Sequence, residues 1–176
     1  MKDLFRTIPR LAGKTIELRA LTQADADALD AFTHDDRVYR YLPTFLFERK
    51  YPTAAEVIDR LYTECLEESL ILGIFRGGAF CGLAELYGYR RPIRKISVGC
   101  RLAFDWWRKG IAAEAIGVLI SYLERETDIE IVAASTMAVN PAAGEVLKKN
   151  GFTLVAHAAP EDWGFSKPVP TDKWIY

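Results

Sequence analysis

Between Ile96 and Leu123 the chain changes once from a two-residue to a 3.6-residue hydrophobic period, and that change limits what the remainder can fold into. Ile96, Val98, Cys100, Leu102 and Phe104 share one face of an extended run, while Ser97, Gly99, Arg101 and Ala103 share the other. The alternation predicts a strand. After Gly110 the apolar residues Ile111, Ala115, Val118, Leu119, Tyr122 and Leu123 recur on one side of a helix. Asp105-Trp106-Trp107-Arg108-Lys109-Gly110 is therefore the point at which a strand hands over to a helix.

A junction of this kind has a chemical use. The first turn of a helix carries N–H groups without intrahelical partners, at the positive end of the helix dipole, and a phosphate or diphosphate fits there. Arg108 and Lys109 add cationic donors, and Gly110, Ala112 and Ala113 let a ligand approach the main chain. A glycine that starts a helix beside a solvated basic pair accounts for the same residues. The spacing is neither that of a P-loop nor that of a dinucleotide fingerprint.

The other elements follow from pattern and punctuation. Residues 15–21 alternate as a strand, and Thr22 with Asp25 three residues later resembles a capped helix start. Asp36 is positioned to cap a short helix that Pro43 stops. Thr53 and Glu56 form a capping box for a helix running through Leu66. Residues 69–76 and 79–87, separated by Gly77-Gly78, read as a hairpin, followed by a turn over 88–92. Residues 129–137 are almost continuously apolar, as in a strand covered on both faces. Asn140, Pro141 and Gly151 are cap, first residue and stop of a further helix. Residues 152–157 and 172–176 are strands, with a proline-rich loop between them. The loop 43–52 holds three aromatic residues between two prolines, so it packs inward or lines a ligand cleft.

At 176 residues the chain is one domain, 1–176, with room for a substantial core. A net charge of −1 gives no basis for bulk nucleic-acid binding. Cys65, Cys81 and Cys100 form no C-x-x-C pair and read as buried thiols in a reducing compartment. The opening MKDLFRTIPRL lacks an apolar leader and no run is long enough to span a bilayer, so a cytoplasmic protein is expected.

Trp107-Arg108-Lys109-Gly110-Ile111-Ala112-Ala113-Glu114-Ala115 resembles the acetyl-coenzyme A motif of the GNAT acetyltransferases, [QR]-x-x-G-x-[GA]. Trp107 replaces the Gln/Arg, which is similar to the ribosomal-protein N-acetyltransferase (RimJ/RimL-like) branch. Ile16-Glu17-Leu18-Arg19 followed by Thr22-Gln23-Ala24-Asp25 resembles the N-terminal signature of the same branch. The resemblance implies an α+β (mixed α/β) GNAT fold: a twisted mixed sheet of about seven strands, splayed at the middle and flanked by helices on both faces. It implies an N-acetyltransferase that transfers acetyl from acetyl-CoA to a primary amine, a protein N-terminus or a small molecule, by direct attack in a ternary complex. Cofactor-binding positions carried over are Leu102, Ala103, Phe104, Trp107, Arg108, Lys109, Gly110, Ile111, Ala112 and Ala113, with Asn140 contacting the pantetheine arm. The loop 43–52 would border the acceptor. A metal is not required, and no His/Cys cluster offers to hold one.

The family's proton-transfer residues do not carry over. Ser97 stands where the branch often has Glu, Ala143 where it has Ser, Val155 and Ala156 where it has a carboxylate, and Leu147 where other GNATs have Tyr. The remaining catalytic candidates are Glu85 and Tyr87, with His157 at a strand end. A solvated or salt-bridged Glu85 is the plain structural alternative. His34 reads as loop decoration and Asp105 as a helix cap or cation partner. Three readings result. The first is an acetyl-CoA-dependent enzyme, monomeric or homodimeric, and the second a non-catalytic acyl-CoA-binding sensor of the same fold. The third is an RNA-associated protein using Arg90, Arg91, Arg94 and Lys95, which the near-neutral charge disfavours.

Overall fold

The computed structural model describes residues 7–67 and 69–176. Most of the opening segment read for a leader, Met1–Arg6, lies outside them. Strands β1 (Leu11–Ala12), β2 (Glu17–Arg19), β3 (Ser69–Arg76), β4 (Ala79–Arg90), β5 (Lys95–Leu102), β6 (Ile131–Met137), β7 (Thr153–Glu161) and β8 (Val169–Ile175) form one sheet in the order β1-β2-β3-β4-β5-β6-β8-β7. Among the described residues the sheet has eight strands where about seven were expected, because the N-terminal run breaks into a short hairpin at Gly13. All neighbours are antiparallel except β5 and β6.

Helices α1 (Ala26–Thr33), α2 (Asp36–Tyr39) and α3 (Ala54–Leu61) cover one face, and α4 (Ile111–Glu126) and α5 (Pro141–Lys149) cover the other. The sheet separates two cores. Leu72, Ala84, Leu86, Ile96, Val98 and Leu102 pack against α4, while Leu21, Ile71, Phe75 and Leu83 pack against α1 and α3. Period-two alternation along each strand creates that division.

The splay is visible in the strand register. β5 pairs with β6 only over Lys95–Ser97, opposite Ile131–Ala133. Beyond Ser97, β5 continues along β4 while β6 turns to β8, so a wedge opens between the C-terminal halves of β5 and β6. Parallel pairing puts the ends of both strands, Leu102 and Met137, on the same side of the sheet.

Several boundaries depart from the sequence reading. Asp35, not Asp36, caps α2 by accepting from the Arg37 amide. Thr53 caps α3 as expected, accepting from Glu56 N at 3.2 Å, but α3 ends at Leu61 and a separate 3-10 turn covers Cys65–Glu67. β4 runs through the expected turn to Arg90. The proline-rich loop is shortened to residues 162–168, because β7 extends to Glu161 and β8 begins at Val169. Pro160 and Pro170 are partners in that ladder. No helix among the described residues is long and apolar enough to cross a membrane.

Candidate active site

The 103–110 junction leaves the end of β5 through a 3-10 turn, Phe104–Trp106, and reaches α4 through two residues with positive φ, Arg108 (60°) and Gly110 (78°). Successive turns of this kind aim neighbouring N–H groups into a common concavity. Among the described residues, none of the N–H groups of residues 108–113 donates a hydrogen bond, and the helical ladder begins with Glu114 N to Gly110 O at 3.1 Å. A Cβ built on Gly110 meets nothing within 4 Å, so the surface beside that residue is open. Arg108 and Lys109 are exposed beside it, and the Lys109 ammonium lies 4.8 Å from the Trp106 ring centre.

Glu114 secures this helix start from behind. Its carboxylate accepts from Thr15 N (2.6 Å), Thr15 Oγ1 (2.6 Å) and Ile16 N (3.3 Å), joining α4 to the β1–β2 hairpin. Burial pushes its pKa upward, but the hydrogen bonds from Thr15 and Ile16 outweigh it and the net shift is downward.

The side chains divide sharply. Ile111 is buried in the core and offers only its main chain to the concavity, as do Ala112 and Ala113 by their small size. Trp107 is half-buried and donates from Nε1 to the Leu102 carbonyl at 2.8 Å. Phe104 is exposed, with Trp107 at 5.1 Å on one side and the Arg37 guanidinium 4.1 Å from its ring centre. Ala103 N donates to Cys81 O at 2.9 Å, toward β4. Strand alternation then turns the N–H groups of Cys100 and Leu102 toward the wedge, where no β6 residue pairs with them. Asn140 follows the turn at the end of β6, where its N–H donates to Met137 O at 2.9 Å. Its Oδ1 accepts from Ala143 N at 3.4 Å, so half of its amide is spent on capping α5.

Glu85 and Tyr87 sit on the opposite side of the sheet from α4, facing Gly99 and Ser97 of β5. Glu85 Oε2 accepts from Arg101 Nη1 at 2.8 Å, which realises its salt-bridged alternative. Burial raises the Tyr87 pKa far above the ordinary phenol value, and the charges of Glu85 and Glu161 push the same way against Arg101. Tyr87 is thus a neutral donor near pH 7. His157 is exposed and pairs with Asp172 at 2.7 Å, while His34 rests on the Asp30 carbonyl at 2.9 Å. Asp105 is exposed at the junction, where its charge acts on Arg37, and Gly110 rather than Asp105 is the residue before α4. Leu147 is 4% exposed within the core, so the position at which other GNATs carry Tyr has no access to solvent.

The sequence reading missed Glu48, Arg101, Glu161 and Lys173. Arg101 forms a buried fork with Glu48, and Lys173 pairs with Glu161 and donates to Ser135 Oγ at 3.1 Å. A charge on the polar face of the central strand was a signal for Arg101. Glu48, in an aromatic loop, carried none.

A family model described as "Acetyltransferase (GNAT) domain" matches residues 15–153. The chain belongs to the GNAT acetyltransferases. Among curated proteins, this GNAT domain is similar to the uncharacterized N-acetyltransferase YoaA of Bacillus subtilis (strain 168), 26% identical over 148 residues and 82% of each chain. Among solved structures it is similar to the ribosomal L7/L12 α-N-protein acetyltransferase RimL in complex with coenzyme A. That likeness has a TM-score of 0.80 at 16% identity, over 96% of this chain and 97% of that one. Spermidine N-acetyltransferase from Vibrio cholerae, in complex with coenzyme A and spermine, matches with a TM-score of 0.74 at 18% identity, over 92% and 95%. At those identities the structural likeness is one of fold.

Proposed function

We propose that this single-domain GNAT protein transfers acetyl from acetyl-CoA to a primary amine by direct attack in a ternary complex, and that it stands in the RimJ/RimL-like branch. The observation that carries the reading is the set of undonated N–H groups at residues 108–113, beside the unobstructed Gly110, just beyond the end of β5. Those amides, with Arg108 and Lys109, suit the diphosphate of the coenzyme. The wedge suits its pantetheine arm, running from Phe104 and Trp107 between β5 and Asn140. When bound, acetyl-CoA supplies a thioester whose carbonyl the amine attacks, with loss of the thiol.

The chain's own residues would do the rest. The N–H groups of Cys100 and Leu102, fixed by the strand and needing no reorganisation, suit an oxyanion at the head of the wedge. Holding both substrates in one geometry accounts for much of the rate gain. Glu85 and Tyr87, on the acceptor side, would hold the incoming ammonium and donate a proton respectively. The acceptor is a protein N-terminus or a small amine. The Trp163 end of loop 162–168 meets loop 43–52 where Thr44 N donates to Trp163 O at 2.9 Å, which frames the approach.

The test is release of coenzyme A from acetyl-CoA against polyamines, aminoglycosides and N-terminal peptides. Turnover with one class and saturable dependence on acetyl-CoA is expected. The buried Leu147 favours a second reading, an acyl-CoA-binding sensor, and tight binding of acetyl-CoA without turnover on any acceptor would select it.

A further inference from the structure

Loop 43–52 is tied to the sheet through one buried residue. The Glu48 side chain is 0% exposed and is gripped by Arg101 of β5 through Nε to Oε1 (2.6 Å) and Nη2 to Oε2 (2.7 Å). The remaining guanidinium nitrogen, Nη1, reaches Glu85 of β4. Arg101 is 4% exposed and Glu85 14%, so the cluster rises from the core toward the acceptor side and ends on Glu85. Two carboxylates against one guanidinium leave one net negative charge. Burial alone would lower the Arg101 pKa, yet the two carboxylates drive it upward, so the guanidinium stays charged.

Such a cluster is a poor source of stability, because desolvating its charges offsets most of their attraction and apolar replacements often serve as well. What a planar fork supplies that an apolar cluster does not is direction. Here it fixes three things together: the strand β5, the loop through Glu48, and the Glu85 carboxylate. From the loop, contacts continue through Thr44 to Trp163, whose indole donates to Glu161 at 2.7 Å, and from Glu161 to Lys173 of β8. The wedge between β5 and β6–β8 is therefore bridged on this side, and Arg101 is the β5 end of the bridge.

We propose that Arg101 is a positioning residue of the acceptor site: acting through Glu48 and Glu85, it presets loop 43–52 and one net negative charge for an incoming ammonium. The proposal rests on the acetyl-transfer reading above only in naming the ligand.

The test compares Arg101→Lys and the paired Arg101→Met/Glu48→Leu replacement with the unmodified protein. Readouts are the KM for acetyl-CoA, the KM for the best acceptor, and the rate of tryptic cleavage at the exposed Arg49 and Lys50. The folded paired variant is expected to raise the acceptor KM about tenfold or more, leave the acetyl-CoA KM within about twofold, and be cut several-fold faster. Arg101→Lys, which keeps charge but loses the fork, should fall between. If the paired variant does not fold, Arg101→Lys decides by the same readouts. Unchanged acceptor KM and unchanged cleavage would overturn the proposal. If the unmodified protein acetylates nothing, the functional reading fails separately, and cleavage still decides whether Arg101 sets the loop.

Discussion

Trp107 donates its indole N–H to the carbonyl of Leu102 at 2.8 Å, so the residue that opens the turn into α4 also terminates the central strand. The bond lies on the wedge side of β5, where a β6 partner is absent. A tryptophan satisfies a strand-end carbonyl that the splay leaves open, and its ring packs against Phe104 at 5.1 Å.

Trp107→Phe keeps an aromatic ring, though a smaller one, and removes the donor. We expect a loss of about 1 kcal/mol in stability, the typical value of one hydrogen bond, measured by urea denaturation. The acetyl-CoA KM should rise about fivefold while the acceptor KM stays put, a split characteristic of lost substrate positioning. An unchanged acetyl-CoA KM would mean the turn holds its shape without this bond.

Two glycines should respond to alanine in different ways, one mainly in ligand binding and the other in stability. Gly110 has φ 78° and free space around it, so Gly110→Ala costs about 1 kcal/mol of backbone preference and leaves a folded protein. Its methyl group would stand before the amides of residues 108–113, and calorimetry should show coenzyme A binding weakened at least about tenfold, or 1.4 kcal/mol. Gly82 has φ 152°, and a Cβ there would lie 2.1 Å from the Arg101 carbonyl oxygen. Gly82→Ala must part β4 from β5 and should lower stability by more than about 3 kcal/mol, seen as a large fall in melting temperature.

Glu114 makes the fold acid-sensitive at the start of α4. Its folded-state pKa is depressed, so its contribution is fully present above the unfolded carboxylate value of about 4.3 and is lost as pH falls through the folded one. Glu114→Gln should cost about 1–2 kcal/mol at pH 7 and should flatten the decline in stability below about pH 4.5. Denaturation midpoints measured from pH 7 to pH 3 test this, and parallel declines in both proteins would count against it.

Arg108 and Lys109 are exposed, so their attraction for a diphosphate is screened by salt, with a Debye length of about 10 Å at 0.1 M. Replacing either by alanine should raise the acetyl-CoA KM a few-fold at low ionic strength. The gap to the unmodified protein should narrow as salt is added. A difference that ignores salt would place these cations away from the phosphates.

Elements were legible where the signal was local. The Gly77-Gly78 hairpin appears with both glycines at positive φ, and Asn140-Pro141 starts α5 as its cap and first residue. The expected loop after 157 was misleading because Pro160 and Pro170 occupy paired positions in the β7–β8 ladder, where their suitability depends on the neighbouring strand. Glu85 looked like a candidate base on its strand, but the guanidinium that holds it lies sixteen positions away on the next one.

Residue order alone determined the strand-to-helix handover at 102–111, its free amides and the family to which they belong. Those properties arise from φ preferences, caps and hydrophobic period within a few neighbouring residues. Only the tertiary structure decided which distant polar residues meet across the sheet. Glu48 meets Arg101 across 53 positions and Lys173 meets Ser135 across 38, and polar pairing at that range depends on how the sheet splays rather than on spacing along the chain.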